Sequence, residues 1–146
     1  MDSKEFKLYV RKVLLDNGFN EHSNPTCYIK DMGDYYLRCY IDKSTWSDSY
    51  GVDGDVYLKK FNDYNSLIKA KDPEDFRVYA WYNGVGAWFG LDDYTTEELK
   101  HYVFIAIRQL LEKFEKIGIA GFFAECPNMF TIFHKEYIAE HYGKKE

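Results

Sequence analysis

The chain has 146 residues, of which 46% are apolar and 29% charged, a composition that excludes disordered and fibrous classes and fits one domain over residues 1–146. Its net charge of −5 disfavours nucleic acid or anionic lipid as a partner, because both repel an acidic protein. The start, "MDSKEFKLYVRKVLL", alternates charged and apolar residues, so we expect neither a secretory signal nor a membrane span, and a cytoplasmic location.

The first predicted element is an amphipathic helix. Asp2 or Ser3 caps its start, and Glu5 completes a capping box with Asp2. Gly18 ends the helix, and Phe19 suits the hydrophobic contact that accompanies a glycine cap. The residues that share its apolar face are Phe6, Val10, Val13 and Leu14.

Two runs rich in Tyr and Ile follow, and the turn at 31–34, which contains Gly33, predicts a hairpin between them. Alternation in the second strand places Leu37, Cys39 and Ile41 on one face, and Tyr36, Arg38 and Tyr40 on the other. Residues 55–61 predict another strand. The segment 62–75 predicts a loop with one helical turn.

The stretch "FRVYAWYNGVGAWFG", residues 76–90, predicts a hairpin with a two-residue loop at Asn83-Gly84. This register pairs Tyr82 with Val85 and puts both on the core side with Phe89. The opposite side carries Tyr79, Trp81 and Trp88. Since aromatic residues form 19% of the chain, more than the core needs, we expect that side to face solvent, the terminal helix or a partner.

Two helices complete the chain. Thr95 and Glu98 form a capping box, and an apolar stripe that includes Leu110 predicts a helix to Ile117, which Gly118 stops. The last predicted helix turns Phe130, Phe133, Tyr137 and Ile138 inward. The sequence thus predicts an α+β fold: an antiparallel β-meander of four or five strands, with an N-terminal helix and two C-terminal helices packed on one face.

No pattern of residues predicts catalysis, a metal or a cofactor. His22, His101, His134 and His141 lack the spacing of three or four that metal sites on helices need. Asp48, Asp53 and Asp55 lack the order of a calcium loop, so we interpret them as an acidic, solvated loop. We expect a protein that is not an enzyme, with no catalytic residue, no metal and no cofactor.

Two catalytic alternatives have little support from spacing. Cys126 could act as a nucleophile with His134, but eight positions of the sequence separate them. A carboxylate pair, either Asp92 with Asp93 or Asp53 with Asp55, would need one member buried, and the sequence does not indicate that burial. The three cysteines lack CxxC spacing, so reduced thiols are expected, with Cys39 buried in a strand.

The pieces "LLDNGFNEHSNPTCYIK", "YYLRCYIDKSTWSD" and "FRVYAWYNGVGAWFGLDDYTTEEL" span most of the chain. Together they resemble a family of small bacterial domains of unknown function that includes candidate toxin-immunity proteins. The resemblance implies an α+β fold, a bacterial or phage cytosol and neutralisation of a toxin. It assigns no site residue.

We therefore expect a non-enzymatic, protein-binding domain, an immunity or inhibitor protein that neutralises a basic toxin or nuclease. The alternative is a small-molecule-binding domain with an aromatic-lined pocket. A further alternative is that the protein's own helices cover Trp81 and Trp88. The oligomeric state is not predicted. The predicted partner-binding residues are Trp46, Tyr79, Trp81, Trp88, Asp48, Asp53, Asp55, Asp92 and Asp93.

Overall fold

The computed structural model describes residues 1–23, 26–69, 74–126, 128 and 134–142. Its elements are α1 (Ser3–Asp16), β1 (Asn20–His22), β2 (Cys27–Asp31), β3 (Tyr35–Lys43), β4 (Ser49–Leu58), α2 (Tyr64–Lys69), β5 (Phe76–Tyr79), β6 (Phe89–Gly90), α3 (Thr96–Glu125) and α4 (Lys135–Tyr142). Five strands form an antiparallel sheet in the order β1 to β5, and the short β6 also pairs with β4. The predicted α+β class is confirmed. None of the described helices has both the length and the apolar character to cross a membrane.

The local signals at the helix ends are confirmed. Asp2 is the N-cap of α1 and forms a capping box with Glu5, and Thr95 and Glu98 form the same motif on α3. After α1, Gly18 has a φ of +88°, and the Phe19 N–H donates to the Leu14 carbonyl at 3.1 Å. Phe19 is buried, so this glycine cap carries the expected hydrophobic contact.

The sheet has a different cover on each face. On one face α1, α3 and α4 pack over the main core, which includes Leu37, Cys39 and Val56 from the strands. On the other face the short α2 covers a smaller cluster around Tyr57 and Leu67. The predicted alternation in β3 and the buried position of Cys39 are confirmed, whereas α2 is longer than the single turn expected.

The strand β4 is longer than predicted. It begins at Ser49 rather than at residue 55, and its pairing with β3 runs from Tyr50 to Leu58. The interpretation of Asp53 and Asp55 as part of a solvated loop is therefore wrong. Both carboxyl groups lie inside the sheet, where hydrogen bonds and an ion pair described below satisfy them.

The predicted register of the 76–90 hairpin is also wrong. Tyr82 bridges Gly86 instead of Val85, so residues 83–85 form the turn. Beyond it β5 and β6 do not pair with each other, because both use the same side of the longer β4. The predicted sides are nevertheless correct: Phe89 is buried in the main core, while Trp81 and Trp88 are exposed.

The predicted stop of the long helix at Gly118 corresponds to a kink in α3. Gly118 adopts a φ of +60° and a ψ of −166°, and helical structure resumes after it up to Glu125. This second part of α3 buries Ile119 and Phe122 in the core. In the last predicted helix Ile138 is buried and Tyr137 partly so, whereas Phe130 and Phe133 lie outside the described residues.

Leu110 tests the packing of α3 on the sheet, because it is buried against Gly54 of β4. We expect Leu110→Ala to lower the free energy of unfolding by about 2 to 5 kcal/mol, measured by urea denaturation. Leu8→Ala is the matched control, since Leu8 lies on α1 with 55% of its surface exposed. This substitution should change the free energy of unfolding by less than about 0.5 kcal/mol. Equal effects of the two substitutions would contradict this packing.

Candidate functional site

All three tryptophans of the chain are exposed to solvent. Trp46 is 94% exposed, Trp81 58% and Trp88 41%. Tryptophan is on average a strongly buried residue, so its exposure at each position where it occurs is informative. The alternative in which the protein's own helices cover Trp81 and Trp88 is therefore wrong for the described part of the chain.

The exposed rings are linked to one another through ring contacts and shared hollows. Trp46, in the turn between β3 and β4, and Trp88 line a common hollow of about 550 Å³. The Trp88 ring lies against β4 at Gly51, where a Cβ atom would come within 3.3 Å of it. The rings of Tyr79 and Trp88 lie 5.7 Å apart, and Tyr79 and Trp81 line a further hollow. We name Trp46, Tyr79, Trp81 and Trp88 the aromatic surface.

Three of the five predicted acids come together near one end of this surface. Asp48, Asp92 and Asp93 are exposed. The backbone connects them, because the N–H of Leu91 donates to the Asp48 carbonyl at 3.2 Å. We name these three residues the acidic group. Lys43 is a weak counter-ion, with its Nζ 4.0 Å from a carboxylate oxygen of Asp48.

The other two predicted acids, Asp53 and Asp55, do not belong to the accessible site. They are 1% and 0% exposed, because their side chains point from the central strand β4 into the interior below the aromatic surface. The expectation that they contact a partner is therefore wrong. Their spacing, two residues apart with Tyr57 two further on, is the alternation of a strand and could have indicated one common face.

Asp53 forms a carboxyl pair with Asp42, its near neighbour on β3. The backbone N–H of Tyr40 donates to Oδ1 of Asp53 at 2.9 Å, and the Asp42 side chain hydrogen-bonds to Asp53. Burial, then this hydrogen bond and the charge of Asp55, raise the pKa of Asp53 to about 9. A protonated Asp53 can donate its O–H to the Asp42 side chain.

Asp55 lies in a row with two arginines across β3, β4 and β5. Arg77 on β5 contacts both of its oxygens, at 2.7 and 3.2 Å, while Arg38 is its neighbour on β3. Burial raises the pKa of Asp55, and the Arg77 guanidinium works against that shift. Arg38 is buried between the rings of Tyr40 and Tyr57 and donates to the Leu67 carbonyl of α2 at 2.6 Å. These partners are the reason that charged residues can line the interior of the sheet.

The two members of the cysteine–histidine pair considered for catalysis have other partners. The Cys126 thiol donates to the Phe122 carbonyl at 3.2 Å, whereas His134 contacts Asp75 and stacks on Phe61 with ring centres 3.8 Å apart. Asp75, the partner of His134, is itself buried. Within the described ranges, no three His, Cys, Asp or Glu residues are placed so that they could hold a metal ion.

Trp81 stands beside two open hollows between β5 and α3. One has a volume of about 420 Å³ and includes Phe76, Val78 and Phe122 in its lining. The second, of about 280 Å³, continues along α3 past Leu110. Both are open to solvent. Together with the hollow between Trp46 and Trp88, they make three open hollows beside the aromatic surface.

Comparison of the chain with protein-family models, curated proteins and solved structures found no match.

The raised pKa of Asp53 should make the stability of the protein depend on pH. In the native state Asp53 keeps its proton up to about pH 9, whereas in the unfolded chain an aspartate loses it near pH 4. Between these values the native state binds more protons, so the free energy of unfolding should fall as pH rises, by at most about 1.4 kcal/mol per pH unit. Asp53→Asn keeps an acceptor for Tyr40 and a donor for Asp42 and should remove this part of the slope, measured by urea denaturation from pH 5 to 8.

The exposed Asp48→Asn is the matched control and should leave the wild-type slope unchanged. If the free energy of unfolding had the same dependence on pH in Asp53→Asn and in the wild type, the conclusion that Asp53 is protonated in the native state would be wrong.

Proposed function

We propose that this domain binds a cationic protein through its aromatic surface and acts as an inhibitor or immunity protein of a basic toxin or nuclease. The observation that carries the proposal is the exposure of all three tryptophans, with Trp46 and Trp88 on one hollow and Tyr79 in contact with Trp88. Exposed Trp and Tyr side chains are the residues that most often supply the binding energy of protein interfaces.

Trp46 gives the strongest support for a partner-binding surface. With 94% of its surface exposed it gains almost nothing from burial in the fold, so folding does not account for a tryptophan at this position. A ring of this size can bury a large area against a partner and can lose little conformational entropy in doing so.

The charge distribution supports a basic partner. The acidic group carries three carboxylates beside the tryptophans, and the whole chain has a net charge of −5. Carboxylates around an aromatic centre accelerate encounter with a cationic protein. A nuclease must be cationic where it holds its substrate, so an acidic inhibitor can cover that site.

Two further considerations favour a protein over a small molecule. The resemblance to a family that includes candidate toxin-immunity proteins points in the same direction. A small-molecule site would need a deep, closed cavity that buries most of its ligand, and the hollows beside Trp81 and Trp88 are open to solvent.

The first experiment removes the most exposed ring. The wild type and Trp46→Ala serve as baits for affinity capture from the native host, and mass spectrometry identifies proteins that only the wild type retains. With such a partner purified, we expect Trp46→Ala to weaken binding by about 2 kcal/mol or more, mainly through faster dissociation. Its free energy of unfolding should change by less than about 0.5 kcal/mol, because the ring is exposed.

Phe104→Ala provides the matched control, since Phe104 is an exposed aromatic residue on α3 outside the aromatic surface. It should leave the dissociation rate as it is in the wild type. A partner that binds Trp46→Ala as tightly as the wild type would remove the support for this surface.

The second experiment tests the charge. Neutralising Asp48, Asp92 and Asp93 together, each to Asn, should slow association with the same partner and flatten its dependence on salt, while dissociation changes little. The control neutralises three exposed acids on α3 and α4 and alters the net charge equally: Glu112→Gln, Glu115→Gln and Glu136→Gln. Equal slowing by the two triple variants would mean that net charge alone, rather than the acidic group, attracts the partner.

A further inference from the structure

The strand β5 ends the sheet on the side next to the aromatic surface. It pairs with β4 through the register Val78 to Gly54, and none of the other strands in the described residues pairs with its outer side. A strand at the end of a sheet presents unpaired N–H and C=O groups, which are a template for an additional strand.

The register identifies the groups that face outward. The Ala80 N–H donates to the Val52 carbonyl at 2.8 Å, so Ala80 and, two residues earlier, Val78 turn their backbone groups towards β4. By alternation Arg77 and Tyr79 turn theirs away from it. Two residues in this orientation can exchange up to four hydrogen bonds with an added strand.

Apolar space lies directly beside this edge. The two hollows between β5 and α3, of about 420 and 280 Å³, share Val78, Tyr79 and Trp81 in their linings. Side chains two residues apart in a strand point to the same side, about 6.8 Å from each other. A strand added to β5 therefore presents alternate side chains to neighbouring hollows.

The charges at this edge are already paired within the chain. Arg77 contacts Asp55 and Glu74, and Nζ of Lys113 lies 3.5 Å from a carboxylate oxygen of Glu125. Because each cation here has its own counter-ion, the hollows complement uncharged side chains. Tyr79 lies both on this edge and in contact with Trp88, so the edge is continuous with the aromatic surface.

We infer that β5 receives an extended segment of the protein partner, which adds a strand to the sheet and places alternate apolar side chains in the two hollows. This inference rests on the proposed function in that the occupant belongs to a protein partner. Main-chain hydrogen bonds to Arg77 and Tyr79 hold the segment, and the hollows select its side chains.

The test uses random linear 12-residue peptides displayed on phage and selected on the immobilised full chain. We expect enriched peptides to carry aliphatic or aromatic residues at alternate positions. On binding of a synthetic copy of one such peptide, amide hydrogen exchange at Arg77 and Tyr79 should slow at least tenfold by NMR. Absence of enrichment over an empty surface, or bound peptide with unchanged exchange at both amides, would overturn the inference.

A backbone change separates main-chain pairing from side-chain contact. Incorporating the α-hydroxy acid of tyrosine at position 79 replaces the amide by an ester, which removes the outward N–H and keeps the ring. We expect this protein to bind the peptide about three- to tenfold more weakly, the loss of one hydrogen bond, and to melt only slightly below the wild type, because the ester carbonyl of residue 78 still accepts from β4 but less strongly. The same change at position 78 removes an N–H that faces β4 and should lower the melting temperature more.

Two outcomes distinguish this inference from the proposed function. Trp46 lies outside the two hollows, so Trp46→Ala should leave peptide binding unchanged while Trp81→Ala weakens it. A captured partner that requires Trp46 but does not protect the amides of Arg77 and Tyr79 would overturn the added strand and leave the proposed function standing. Self-association that the position-79 ester abolishes would identify a second copy as the occupant and overturn the inference too.

Discussion

The ion pair between Arg77 and Asp55 joins β5 to the central strand β4, and the arrangement of the sheet depends on it. From Tyr50 to Leu58 every residue of β4 is buried, including two aspartates. An unpaired carboxylate at such a position would cost several kcal/mol. The two-point contact with Arg77 compensates Asp55, and the raised pKa of Asp53, about 9, lets that buried carboxyl group stay protonated and uncharged at neutral pH. With both carboxyl groups satisfied, β4 can have neighbouring strands on each side.

The same strand also connects the core to the aromatic surface. Gly54 points to the helical face, where a Cβ atom would meet Leu110 of α3 at 3.3 Å, and Gly51 points to the other face, where it would meet Trp88 at the same distance. Each glycine thus allows a close approach that a side chain would prevent. The helix α3 and the exposed tryptophan are positioned by opposite faces of one strand, so the aromatic surface has a rigid support.

The features that sequence predicted correctly depend on neighbours within a few residues. Such local features are the capping boxes at Asp2 and Thr95, the glycine cap at Gly18 and the alternation along β3. The start of β4 was missed because Asp and Gly are depleted from strands, and their compensation comes from Arg77 and Asp42 on other strands. The hairpin register failed for a similar reason: its two arms pair with β4, a partner that Asn83-Gly84 does not indicate. The tryptophans were predicted, but the buried acids below them were not.

The surplus of aromatic rings divides into three groups. Rings such as Phe114 and Phe122, whose centres lie 4.7 Å apart, fill the core on the helical face. Tyr40 and Tyr57 lie against the guanidinium of Arg38 and shield a buried charge from water. Trp46 does neither, because its ring is almost fully exposed to solvent. Under the proposed function, a ring held outside the fold keeps its whole area for the interface.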